Sequence, residues 1–311
     1  MEVTMKHFLS LASLTPEEFR EILDVSVRLK KAWKSGGNEP LLKGKVLGMI
    51  FQKPSLRTRV SFDVAMLHLG GNALYLSPNE IQLGKRESVA DVARVISRYV
   101  DIVMARVFSH YDLVELAKYA SVPIINGLSD YSHPCQGVAD FLTILEHKGE
   151  FKGRKLVFMG DGNNVSTSLL FGAALLGMDF AISTPKGYEL PPAVWDMGLR
   201  LAEKSGAHVE MTYDPLEAAE DADVIYTDAW ASMGQEAEAE KRRAVFPPYR
   251  VDEGKLAVAD PDVTVMHCLP AHRGEEITDV VADGSHSALF DQAENRLHAQ
   301  KGLIVWLLDL V

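Results

Sequence analysis

Aliphatic and β-branched runs alternate with capped amphipathic segments along nearly the whole chain, and that alternation is what most constrains the fold. Residues 45–51, 73–76, 102–107 and 122–126 read as strands in the first half, and 155–159, 180–184, 208–212, 224–227 and 263–267 in the second. Segments 55–69, 89–99, 112–119, 133–147, 166–176, 193–204 and 215–219 read as the helices between them. A helix ahead of the first strand starts at Thr15-Pro-Glu-Glu18, a capping box with proline in the first turn, and Phe19, Ile22 and Leu23 line its apolar face. Strands separated by helices at this spacing predict parallel sheets covered by helices, an α/β fold. The turn at 148–153 divides the chain into a domain of 1–148 and one of 149–290. A last amphipathic helix, within 291–311, is expected to pack back on the first domain.

With 311 residues there is enough chain for two cores. No run of eighteen apolar residues exists, so no membrane-spanning helix is expected. The first residues lack a basic stretch followed by an apolar one, which argues for a cytoplasmic protein. Cys135 and Cys268 are expected to be free thiols. The net charge of −11 argues against nucleic acid or an anionic membrane as partner, and it makes any locally basic site more telling.

Such a site begins where the first strand ends, at Phe51-Gln-Lys-Pro-Ser-Leu-Arg-Thr-Arg59. Pro54 stops the strand and Ser55 caps the next helix. Val60, Val64 and Leu67 recur at i, i+4 and i+7, which predicts an apolar face. The backbone N–H groups at a helix start attract an anion, and Arg57, Arg59, Ser55 and Thr58 add donors suited to phosphate. The bland reading is a capped helix with solvated arginines. Residues 77–88 read as an exposed polar loop from which Gln82 and Lys85 could reach another molecule.

Further constellations follow other strands. Arg106 ends one. His133-Pro-Cys-Gln136 opens a helix, with His133 and Gln136 one turn apart; neutral histidine can donate to a carbonyl or phosphate oxygen, although a capping role alone is also open. Gly160-Asp-Gly-Asn-Asn-Val165 invites a dinucleotide reading, but Val165 stands where a third glycine belongs and no acidic residue ends the next strand. The alternative is that Asn163 and Asn164 bind a small polar ligand. Asp228 precedes a glycine-stopped loop, Asp228-Ala-Trp-Ala-Ser-Met-Gly234, and can bind a cationic amine together with Ser232 and the Met233 backbone. In His267-Cys-Leu-Pro-Ala-His272 the histidines are poorly spaced for zinc, and no carboxylate is expected to complete a site. The run 236–243 is charged throughout and reads as a solvated helix or loop. All these groups fall at carboxyl ends of predicted parallel strands, where open α/β sheets bind ligands. Arg57, Arg106, His133 and Gln136 suit an anion, while Asn164, Asp228 and Ser232 suit an amino acid. Two half-sites imply an active site in a cleft between two domains.

Ser55-Leu-Arg-Thr-Arg59, His133-Pro-Cys-Gln136, Asp228-x-x-x-Ser-Met-Gly234 and His267-Cys-Leu-Pro270, in this order and spacing, resemble the aspartate/ornithine carbamoyltransferase family, and most closely its ornithine branch. The resemblance covers nearly the whole chain. It implies a first domain that takes carbamoyl phosphate, the ligand being bound by Ser55, Leu56, Arg57, Thr58, Arg106, His133, Gln136, Cys268, Leu269 and Arg296, with Gln82 reaching across a subunit interface in a homotrimer. It implies L-ornithine held in the second by Asn164, Asp228, Ser232 and Met233, and a cis Leu269–Pro270 bond. Arg57, Thr58, Arg106, His133 and Cys268 would be catalytic, with no metal or organic cofactor. The product would be citrulline, in arginine biosynthesis or a urea-cycle-type step.

Leu56 departs from the family's usual serine-threonine pair, and leucine there also occurs in enzymes that carbamoylate N-acylated ornithine. Acceptors such as N-acylornithine, putrescine or aspartate therefore stay open. So do a nicotinamide-dependent dehydrogenase and a non-catalytic anion-binding relative.

Overall fold

The computed structural model describes residues 5–231 and 236–310. The chain forms two compact units. One runs to Leu142 and takes in the chain again from Asn295; the other is Thr143–Glu294. The chain passes between them within two helices, Pro134–Lys148 and Leu289–Leu307.

The first unit holds a four-stranded parallel sheet of β1 (Val46–Phe51), β2 (Asn72–Leu76), β3 (Ile102–Arg106) and β4 (Ile124–Leu128), in the order β2-β1-β3-β4. Leu47, Met49, Ile50, Phe51 and all of Ile102–Ala105 are buried, as expected of strands covered on both faces. The first helix is Pro16–Lys34, and its predicted capping box is present: Glu18 N–H donates to Thr15 Oγ1 at 3.1 Å, and Thr15 N–H to Glu18 Oε2 at 2.9 Å.

The second unit holds a five-stranded parallel sheet of β5 (Lys155–Met159), β6 (Asp179–Ser183), β7 (Val209–Thr212), β8 (Val224–Thr227) and β9 (Thr264–His267), in the order β7-β6-β5-β8-β9. Both orders contain a switch point. The chain leaves β1 toward β2 on one side, and β3 lies on the other; β5 has the same relation to β6 and β8. At such points the loops after neighbouring strands diverge and leave a crevice at the carboxyl ends. Register places Phe51 beside Arg106 and Met159 beside Thr227 at these two points.

Several elements differ from the sequence reading. Val60 and Leu67 are exposed, at 48% and 70%, whereas Thr58, Phe62, Ala65 and Met66 are buried. The helix Leu56–His68 is apolar on more than one side, so spacing alone picked the wrong face. The loop after β2 contains a short helix, Pro78–Ile81, closed by a Ser77–Glu80 capping box. The charged run after residue 235 is a 3-10 turn, Glu236–Glu238, followed by the helix Ala239–Val245. It is not solvated throughout, because Arg242 is buried.

Candidate active site

In the first unit, Ser55 has extended backbone and caps the helix Leu56–His68, its Oγ accepting from Thr58 N–H at 3.4 Å. Ser55 Oγ also donates to Thr58 Oγ1 at 3.1 Å. Arg296, 4% exposed on the helix Leu289–Leu307, converges on the same point. Its Nη2 donates to Thr58 Oγ1 at 3.0 Å and its Nη1 to Gln136 Oε1, with His133 Nε2 at 3.4 Å from the same Nη1. Gln136 Nε2 donates in turn to Asp140 Oδ1 at 2.7 Å. The sequence reading had placed Thr58, His133, Gln136 and Arg296 in one site, and here they touch.

A guanidinium can only donate, so His133 Nε2 faces it as an acceptor and the ring proton sits on Nδ1. Burial, and after it the charges of Arg296 and Arg106, hold the His133 pKa well below the usual histidine range. The ring is therefore neutral at pH 7 and can both accept and donate. Arg106 is buried at the end of β3, and its carbonyl accepts from Gln52 N–H at 2.8 Å. Two guanidinium groups around a neutral imidazole, beside a helix N-terminus, make a site for an anion.

Arg57 is half-buried on the same turn. The Leu56 side chain is 77% exposed. Gln82 lies apart in its exposed loop, where its amide donates to Asn79 O at 3.3 Å. Cys135, beside Gln136, is inert: its Sγ lies 3.2 Å from Asn126 O, and burial pushes its thiol up to about 12.

In the second unit the groups gather at the ends of β5, β8 and β9. Asn163 caps the helix Asn164–Leu176, its Oδ1 accepting from Val165 and Ser166 N–H. Its Nδ2 donates to Asp228 Oδ2 at 2.9 Å, while Cys268 Sγ donates to Asp228 Oδ1 at 3.0 Å. Asn164 is half-buried at the first position of that helix. Ser232 and Met233 lie outside the described residues. Both cysteines are free thiols.

The loop after β5 has a packing reason for its glycine. A Cβ on Gly162 would stand 2.4 Å from the backbone of Glu189 and Leu190, and Gly162 N–H donates to Tyr188 O. The second glycine of the pair thus answers to a close approach of two backbones.

His267 is fully buried. Its Nδ1 accepts from Leu269 N–H at 2.8 Å, so its Nε2 carries the proton and donates to Glu276 Oε1 at 3.0 Å. Leu269 has φ of 57°, and the Leu269–Pro270 bond is cis. The expectation that no carboxylate stands near these histidines fails: Glu276 and Asp228 both do. Glu276 is nine residues beyond His267, and only the loop's return brings it back.

Two models span the chain: the Asp/Orn binding domain of aspartate/ornithine carbamoyltransferase matches residues 152–307, and the carbamoyl-P binding domain of the same family matches residues 6–146. The chain belongs to the aspartate/ornithine carbamoyltransferase family. Among curated members of that family, ornithine carbamoyltransferase of Pyrococcus abyssi is 56% identical over 310 residues, covering 99% of this chain and 98% of its own. The anabolic ornithine carbamoyltransferase of Pyrococcus furiosus is 55% identical over 299 residues, covering 96% and 95%. Among solved structures, ornithine carbamoyltransferase of Pyrococcus furiosus superposes with a TM-score of 0.96 at 53% identity, covering 100% of this chain and 99% of that one. The anabolic enzyme of Campylobacter jejuni gives 0.93 at 40% identity, covering 99% and 100%. The carbamoyltransferase family thus accounts for both units.

Four polar residues that tie these side-chain clusters together were not singled out from sequence: Asp140 in the first unit, and Asp161, Arg242 and Glu276 in the second. Asp140 sits one helical turn beyond Gln136, and that spacing was the available signal. Arg242 is hidden in a charged run. Its Nη1 donates to Asp161 Oδ2 and to Trp230 O, each at 2.7 Å.

Proposed function

We propose that the chain transfers the carbamoyl group of carbamoyl phosphate to the δ-amine of L-ornithine, giving L-citrulline and phosphate. The observation that carries this reading is the convergence of Arg296 on Thr58, Gln136 and His133. It supports a first unit that binds carbamoyl phosphate through Ser55, the Leu56 N–H, Arg57, Thr58, Arg106, His133, Gln136 and Arg296. The exposed Leu56 side chain is consistent with a contact through its backbone, which leucine leaves intact.

The neutral δ-amine attacks the carbonyl carbon, a C–N bond forms, and the C–O bond to phosphate breaks. Arg106, Thr58 and His133 donate to the carbonyl oxygen as it gains charge. Arg57 and its neighbours stabilise the departing phosphate, which takes the proton lost by the amine. Asp228 holds the α-ammonium of ornithine, with Asn164, Ser232 and Met233 at the remaining amino-acid groups. Cys268 and Leu269 are further ligands of carbamoyl phosphate. Most of the acceleration comes from alignment and charge stabilisation.

Among the described residues no helix is long and apolar enough to cross a membrane. We place the protein in the cytoplasm as a homotrimer, with Gln82 completing a neighbour's site. Its exposed loop supports that assignment.

The test offers carbamoyl phosphate with ornithine, N-acetylornithine, putrescine or aspartate and assays ureido products. Citrulline from ornithine alone is expected. Preference for an acylated amine would overturn the Asp228 assignment, and no ureido product at all would overturn catalysis.

A further inference from the structure

Asp140 is fully buried on the helix Pro134–Lys148, one turn beyond Gln136, and nothing in the proposed chemistry uses it. Its Oδ1 accepts from Gln136 Nε2 at 2.7 Å. On the other side, Gln136 Oε1 accepts from Arg296 Nη1. A carboxylate only accepts and a guanidinium only donates, so an amide between them has a single workable orientation. Turned over, its NH2 would face the guanidinium and its oxygen the carboxylate, and both contacts would be lost.

That orientation is passed on. Arg296, held by Gln136, places Nη2 3.0 Å from Thr58 Oγ1, and Ser55 Oγ donates to the same oxygen at 3.1 Å. With both acceptor positions of Thr58 Oγ1 occupied, its own hydrogen is left to donate outward. A donor whose direction is fixed before the anion arrives costs little ordering on binding.

We infer that Asp140 is a positioning residue for carbamoyl phosphate: through Gln136 and Arg296 it fixes the Thr58 hydroxyl as a donor to the anion. The inference rests on the reading of this cluster as the carbamoyl phosphate site.

The test compares wild type with Asp140→Asn, Gln136→Glu and the double variant, each confirmed folded by its melting curve. Inorganic phosphate is titrated calorimetrically, and KM is measured for both substrates. Asp140→Asn replaces the charged acceptor of the Gln136 amide with a neutral one and so loosens the amide's hold on Arg296. It is expected to raise KM for carbamoyl phosphate and Kd for phosphate about tenfold, the effect of weakening one charge-assisted hydrogen bond. KM for ornithine at saturating carbamoyl phosphate should stay within about twofold of wild type, below the resolution of one hydrogen bond. Gln136→Glu sets two carboxylates against each other and should bind phosphate more weakly still.

The double variant decides between positioning and mere packing. Its new amide at position 140 can donate to its new carboxylate at position 136, whose second oxygen accepts from Arg296, so charge and direction are both restored. Phosphate affinity should return to within about threefold of wild type. Wild-type KM in Asp140→Asn, or a double variant no better than Gln136→Glu alone, would overturn the inference. Should Asp140→Asn not fold, the second comparison still decides. If wild type binds no phosphate, the anion-site reading itself falls, and this inference with it.

Discussion

Cys268 donates its thiol hydrogen to Asp228 across 3.0 Å, from the end of β9 to the end of β8. The other oxygen of that carboxylate is held by Asn163 at 2.9 Å. A carboxylate oxygen only accepts, so Cys268 stands as a hydrogen-bond donor that orients Asp228. The pair therefore fits a carboxylate prepared for a cation better than a covalent nucleophile.

Asp228→Asn should accordingly damage ornithine binding alone. Replacing a charged acceptor costs about 1.5–3 kcal/mol, or about ten- to a hundredfold in KM for ornithine. KM for carbamoyl phosphate should not move, and equal losses for both substrates would refute the division of labour. Cys268→Ser, which keeps a donor, should be far milder.

Thiol labelling offers an independent check. Cys268 is partly exposed, whereas Cys135 is buried with its thiol pushed up to about 12. Ellman's reagent should titrate one thiol in the folded protein and two in guanidinium. Two fast thiols in the native protein would contradict the packing around Cys135.

Arg242 should matter for stability. Burial pushes the Asp161 carboxyl up while Arg242 pulls it back, and both side chains are almost wholly buried. Arg242→Met leaves that acid alone in the interior, at a cost of about 3–5 kcal/mol by urea unfolding. Adding Asp161→Asn should recover much of the loss. An unchanged urea midpoint in the single variant would show the pair to be unimportant.

Lys301 carries a pH dependence. Buried against the Trp33 ring, with its Nζ donating to Asn38 Oδ1 at 2.8 Å, it is pulled down to about 8 by desolvation. Between pH about 8 and lysine's ordinary value of about 10.5, the unfolded chain holds a proton there that the folded chain has released. Stability owed to this group thus rises with pH across that window. The melting temperature of wild type relative to Lys301→Met should climb from pH about 8 to about 10; a flat difference would rule the effect out.

Much of this molecule was legible before any coordinates. The capping box at Thr15–Glu18, the parallel strands and the Ser55-capped helix after β1 all rest on local rules: cap chemistry, apolar runs and helix starts. Where two local readings competed, spacing failed. Val60 and Leu67 satisfied the helical period as well as Phe62 and Met66 do, and only packing against the sheet chose the latter. Arg242 looked like one charge in a solvated run, until a buried carboxylate 81 residues away claimed it.

The sequence by itself determined which strands and helices form, and that several polar groups sit at strand ends, because these depend on neighbours within a turn or two. Tertiary structure decided the order β2-β1-β3-β4 and β7-β6-β5-β8-β9, and with it which strand ends share a crevice. It also decided the tautomers of His133 and His267 and the orientation of Gln136. Each is set by a partner that the folded chain brings alongside, and a buried polar group must match whatever donor or acceptor it meets there.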